Sequence, residues 1–317
     1  MKTQRKPIRF TAALALLAVM ASACTTGQGG STDGAGVLAS FYPLEEAARA
    51  VAGDLRQVAG ITPPGQGPHD LQLEPRQVEA IENADIVFYL GRGFQPQVED
   101  ALANTGEGVN SVDLLEAVEL LAVDPQLEGT TGEVDGEVLD GDVDPHVWLD
   151  PNRMISMVEE MVRVFSEDDP DNAEAYRANA DAYLVDLSGL DARYREGLDN
   201  CESRVIVTSH RAFGYMAESY DLIQIPIAGI APGDEPDART LEAIAARAEA
   251  EGVRTIFLEE IAPPELAETV AAEIGAELSL LDPIEGPAGE ELEAGTNYAT
   301  IMDENLERLI DGLGCAR

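Results

Sequence analysis

Residues 204–228 read RVIVTSHRAFGYMAESYDLIQIPIA. The run 204–208 is β-branched and apolar, as a strand covered on both faces requires. Residues 211–219 then carry a helical pattern, and 223–228 turn apolar again. Strand, helix and strand in so short a stretch make a βαβ unit, whose strands lie parallel in one sheet. The alternation continues downstream as helix 238–251, strand 254–259, helix 263–274, strand 277–281 and helix 297–313. It is present upstream as strands 37–41, 54–61 and 85–90 with helices 44–52, 75–83 and 95–102. Between the two series the chain is helical from Pro151, with a break near 167–171. From Asn172 to Leu198 it places Tyr176, Ala180, Tyr183 and Leu187 on one face. The fold class is α/β: two α/β lobes, 37–165 and 200–317, joined by a long helix within 166–199.

The first 23 residues stand apart from this pattern. Lys2, Arg5, Lys6 and Arg9 form a basic start, and Phe10 to Met20 is an apolar stretch too short to span a bilayer. Ala21-Ser22-Ala23-Cys24 resembles a bacterial lipobox, with Ala21 where Leu is commoner. Cys24 would then be lipidated and become the mature N-terminus; a signal cleaved without lipid is the other reading. Residues 24–36 continue as a polar, Gly-rich tether. The expected location is extracytoplasmic, lipid-anchored at the outer face of the bacterial cytoplasmic membrane.

Every one of the 60 acidic residues follows residue 23, whereas four of the 20 basic ones precede it, which leaves about −44 on the rest. Nucleic acid is excluded as a partner by a field of that sign. Residues 124–144, DPQLEGTTGEVDGEVLDGDVD, concentrate acid and glycine and read as a loop that attracts cations weakly. Beyond Cys24 the cysteines are Cys201 and Cys315. In an oxidising compartment they read as a disulfide tying the C-terminal tail to the start of the second lobe. A metal site built from them with His210 is the rival reading.

The chain has three histidines: His69 in PPGQGPHD, His146 in DVDPHVWLDP and His210 in VIVTSHRAFGY. Three imidazoles and a carboxylate suit a zinc-like cation; three unrelated polar residues, two in turns, is the other reading. In open α/β sheets ligands bind beyond the carboxyl ends of strands. His69 and His146 lie at such an edge of the first half, and His210 and Asp282 at that of the second. Glu259 and Glu260, ending TIFLEE, are alternative carboxylates to Asp282. Asp70, Asp144 and Asp150 can fix a ligating imidazole's tautomer or serve as turns and caps. Trp148, Phe213 and Tyr215 can wall the cleft or simply pack the core.

PPGQGPHDLQLEP, DPHVWLDP, TSHRAFGY with IPIAGIAPGDEP, and LLDPIEG together resemble the metal-binding lipoproteins of zinc and manganese ABC importers, over nearly the whole chain after the tether. The resemblance implies two lobes on a rigid backbone helix with one ion in the cleft. It implies His69, His146, His210 and Asp282 as ligands, and delivery to a permease driven by an ATPase. Because Asp282 would close the site and no general-base motif stands out, no catalysis is expected, and the chain is expected to be a monomer. Two departures from the family pattern stand out: residues 124–144 lack the His-rich stretch of many zinc members, and Pro68 replaces an acid before the first ligand. Manganese-type members carry a carboxylate where this chain has His210, so the expected cargo is Zn2+, with Mn2+ the alternative. A surface adhesin and a zinc hydrolase are the competing classes.

Overall fold

The computed structural model describes residues 34–69, 71–106, 108–122, 143–234 and 236–316. The signal segment, Cys24, Asp70 and most of the acidic stretch 124–144 lie outside the described residues. The first lobe holds β1 (Val37–Ala39), α1 (Tyr42–Ala52), β2 (Val58–Gly60), α2 (Pro75–Glu82), β3 (Ile86–Tyr89), α3 (Pro96–Ala103) and β4 (Asn110–Asp113). Two helices follow, α4 (Pro151–Asp168) and α5 (Ala173–Gly197). The second lobe holds β5 (Val205–Thr208), α6 (Gly214–Ser219), β6 (Ile223–Pro226), α7 (Ala238–Ala250), β7 (Thr255–Leu258), α8 (Glu265–Ile274), β8 (Glu277–Leu280), α9 (Gly289–Glu293) and α10 (Tyr298–Leu313).

Both sheets are parallel and four-stranded, with orders β2-β1-β3-β4 and β6-β5-β7-β8. The lobes therefore repeat one topology. Successive side chains of a strand face opposite ways, and the cores follow that rule. Leu38 and Val87 face α2 and α3, in a cluster with Ile81, Val98 and Leu102. Val205 and Val207 face α7 and α8, in a cluster with Ala245, Ala248 and Val270. The opposite faces, through Val37, Ala39 and Ile206, join one larger cluster with Met157, Met161 and Phe165 of α4, Leu187 and Leu190 of α5, and Met302 and Leu309 of α10. That cluster runs from one lobe into the other.

Several elements depart from the sequence expectation, among them the short helix α9, which it did not include. β2 begins at Val58 rather than residue 54, because Gly53, at φ 54°, caps α1 by donating to the Arg49 carbonyl. β4 has the sequence NSVD, which carries no apolar run; as an edge strand it is exposed on two residues and needs none. α6 starts at Gly214 rather than 211, because residues 209–213 form a turn, with the Thr208 hydroxyl donating to the His210 carbonyl and the Arg211 N–H to that of Gly229.

α5 holds 25 residues and so runs about 37 Å. Tyr176, Ala180 and Leu187 are buried on its inner face. Tyr183, half-buried, donates from its hydroxyl to Glu46 at 3.3 Å. Cys201 and Cys315 form a disulfide, flanked by backbone bonds from Ser203 to Leu313 and from Ala316 to Asn200. The chain end is thus fastened to the start of β5. Among the described residues no helix is long and apolar enough to cross a membrane.

Candidate metal centre

Each lobe sends two side chains to one point between the carboxyl ends of the sheets. His69 comes from the loop after β2. The Thr62 hydroxyl starts that loop by donating to the Ser40 carbonyl at the end of β1. The His69 ring stands edge-on to Phe94, centroids 5.0 Å apart. His146 comes from Asp144-Pro145-His146, which leads into the single 3-10 turn Val147–Leu149. One oxygen, Asp144 Oδ1, accepts both the His146 backbone N–H at 2.9 Å and its Nδ1–H at 2.8 Å. His210 follows β5, and Glu259 follows β7. Glu259 grips His210 in the same two-point manner: Oε1 accepts the backbone N–H at 3.1 Å and Oε2 the Nδ1–H at 2.5 Å. A carboxylate on Nδ1 turns Nε2 of both rings toward the centre.

Glu285, beyond β8, completes the group. Its Oε1 lies 3.3 Å from His69 Nε2, 3.5 Å from His146 Nε2 and 3.2 Å from His210 Nε2. The His69 and His146 Nε2 atoms are 3.3 Å apart. All four donor atoms lie within 4.8 Å of one another. A tetrahedral ion with bonds of 2.0–2.1 Å separates its ligands by about 3.3–3.4 Å. Four of the six separations, at 3.2–3.5 Å, lie close to that edge length, and the donors, three imidazoles and one carboxylate oxygen, are those zinc takes in four-coordinate sites. Glu285 Oε2 is buried and has no hydrogen-bond partner among the described residues.

Asp282, expected as the fourth donor, is not in the group. Its Oδ1 is engaged by the Ile284 N–H at 2.7 Å. Its backbone is held by Asn305, whose Oδ1 accepts the Asp282 N–H at 2.9 Å and whose Nδ2 donates to the Asp282 carbonyl at 2.7 Å. Ile284 adopts φ 57°, and the residue after it, Glu285, is the one whose side chain joins the group. Burial pushes the Asp282 carboxyl up to about 6; the Ile284 N–H opposes this, and the acids Glu260, Glu291 and Glu285 add to it. Glu260 is exposed and outside the group. Glu259 is a partner of His210 rather than a rival donor.

The flanking residues divide the same way. Asp144 holds His146. Asp150 instead caps α4 by accepting the Asn152 N–H at 3.0 Å, and it pairs with Arg153 at 2.7 Å. Trp148 lies 5.0 Å from the His146 ring and Phe213 is fully buried in the shared core. The Tyr215 hydroxyl, from the second lobe, donates to the Asp144 carbonyl at 2.6 Å and accepts the Leu121 N–H at 3.0 Å. Phe94 and Glu285 are the contributors that sequence reasoning missed. Phe94 sits in GRGFQP after Arg92 and Gly93, both at positive φ. Its one sequence signal is a large aromatic in a polar turn.

Before a cation enters, the site carries its own. Burial alone would lower the His210 pKa, but the Glu259 and Glu285 carboxylates outweigh it and hold the ring near 10. Burial alone would raise Glu285, and His69 and His210 outweigh that, keeping it well below the usual carboxylate range.

This chain is similar to known proteins in sequence and fold. The family described as zinc-uptake complex component A, periplasmic, matches residues 37–312. The high-affinity zinc uptake system protein ZnuA of Bacillus subtilis is 34% identical over 312 residues, 96% of each chain. The zinc-binding lipoprotein AdcA of Streptococcus pneumoniae is 33% identical over 275 residues, 86% of this chain and 54% of its own length, so this chain spans about half of that relative. The crystal structure of the Zn(II)-bound ZnuA-like domain of that AdcA superposes with a TM-score of 0.71 at 32% identity, covering 88% of this chain and 98% of that one.

Proposed function

This chain belongs to the zinc-uptake complex component A family, and from that premise we propose that it captures one Zn2+ outside the cytoplasm and delivers it to an ABC importer. The ion is held by His69, His146, His210 and Glu285. The observation that carries this reading is the convergence of three Nε2 atoms and one carboxylate oxygen at the spacing of a tetrahedral zinc shell.

The ligands divide two and two between the lobes. Separation of the lobes, 37–165 from 200–317 about the helical link 166–199, therefore halves the coordination shell in one movement, which is what a delivery protein requires at its permease. The fourth donor fills the position that a hydrolytic zinc site leaves to water, so the arrangement supports binding rather than catalysis. Lipidation at Cys24 would hold the monomer at the membrane by its tether; the lipobox-like ASAC and the name of the pneumococcal relative support that placement.

Zinc is favoured over manganese because His210 supplies nitrogen where a carboxylate would suit the harder ion, and the Irving–Williams order acts the same way. In competition at equal free-ion concentration zinc is expected to displace manganese, and His210→Glu is expected to narrow the gap. A wild-type preference for manganese would overturn the zinc assignment.

A further inference from the structure

Glu285 follows a turn gripped from both lobes. Asn305, fully buried on α10, holds the Asp282 backbone by both its N–H and its carbonyl. The Trp148 indole N–H, from the segment of His146, donates to the Pro283 carbonyl at 2.7 Å. The two grips meet on α10, because the Tyr298 hydroxyl donates to the Trp148 carbonyl at 2.6 Å. Between the gripped residues and Glu285 stands Ile284, β-branched and at φ 57°, in a region such residues seldom occupy. Local preference does not hold this turn in shape; its surroundings do. Past it, the Gly286 backbone packs so closely on the His69 loop that a Cβ there would lie 2.3 Å from the Gln66 carbonyl oxygen.

We infer that Asn305 and Trp148 are the positioning residues of the fourth ligand, holding residues 282–284 in the strained turn that aims Glu285 at the three histidines. The inference rests on the reading of Glu285 as a ligand. Asn305 fixes the turn within its own lobe. Trp148 fixes it from the other lobe, two residues from His146, so Glu285 is presented only while the His146 segment is docked. Assembly of the four-donor shell is thereby coupled to closure.

The test uses the full mature chain with Zn2+ for affinity and Co2+ as a spectroscopic probe, since four-coordinate Co2+ absorbs far more strongly in the visible than Co2+ of higher coordination. Asn305→Leu and Trp148→Phe are each expected to lower Zn2+ affinity about 10–100-fold, as loss of a ligand's support does. Each should change the Co2+ bands in the same direction as Glu285→Gln. Combining Asn305→Leu with Glu285→Gln is expected to add little to Glu285→Gln alone, because both remove one function. Asn305→Asp keeps the acceptor for the Asp282 N–H and is expected to fall between; it serves also if the Leu variant does not fold. Wild-type Co2+ bands in the folded Asn305 and Trp148 variants, or fully additive losses, would overturn the inference. A Glu285→Gln protein with unchanged Zn2+ affinity and Co2+ bands would instead remove Glu285 from the shell, and the inference with it.

Discussion

His210→Ala is expected to lower zinc affinity by more than about 100-fold at neutral pH, since residues that merely support a ligand are worth 10–100-fold and His210 is proposed as a ligand itself. The loss should widen as pH rises toward 10. In the metal-free wild type His210 is an imidazolium held between Glu259 and Glu285 with a pKa near 10. Zinc takes only the neutral ring, so capture at neutral pH must expel that proton, and raising the pH removes the competition. Calorimetry in buffers of different ionisation enthalpy should show proton release on zinc binding by the wild type and about one proton less by the variant. The variant without metal should also melt lower at neutral pH, by roughly 10 °C, because Glu259 and Glu285 lose the buried cation between them. The sign follows from the raised pKa. The contribution is complete below pH 6.5, the ordinary His value, and is lost as pH rises through about 10. Equal melting temperatures of the two metal-free proteins at pH 7 would remove the imidazolium from this picture.

Replacing both Cys201 and Cys315 by Ser is expected to destabilise the fold while leaving zinc affinity near wild type. The bond closes a chain segment of 114 residues, for which loop entropy gives about 4.8 kcal/mol as an upper figure. A fall in melting temperature of roughly 10 °C follows for a protein of this size. Affinity should survive because the bond fastens the start of β5 and His210 follows its end. Thermal melts with and without a thiol reductant, beside a zinc titration, measure both. Unchanged melting on reduction, or two free thiols per denatured, unreduced chain, would contradict the assignment.

The strands most plainly legible in the sequence are the central ones, whereas the edge strands β6 and β8 are read from apolar residues that alternate with polar ones. VIVT of β5 and IVFY of β3 have no polar residue before their ends, and their helices carry apolar residues at helical spacing. β4 was not legible, since NSVD at a sheet edge is pinned by pairing with β3 and not by burial. The three histidines were legible as a group because each follows a strand or a Pro-bearing turn at the edge where α/β sheets bind ligands. The carboxylate that the fold brings to the three histidines is Glu285, three residues beyond the expected Asp282. In LLDPIEG the acid nearest the strand is Asp282, and nothing in the residue types announces that Ile284 turns left-handed and that Asn305, 23 residues on, holds the backbone. The hold of Glu259 on His210 and the contact of Phe94 with His69 were not legible because the partners are 49 and 25 positions apart, and it is the folding of each lobe on itself that brings them together.

X-ray absorption at the zinc edge of the stoichiometrically loaded protein reads the proposed coordination shell most directly. The expected spectrum has four nitrogen or oxygen neighbours at about 2.0–2.1 Å, with the outer-shell scattering of three imidazoles and no sulfur. A first shell of five or six oxygens, a sulfur neighbour near 2.3 Å, or fewer than three imidazoles would contradict it.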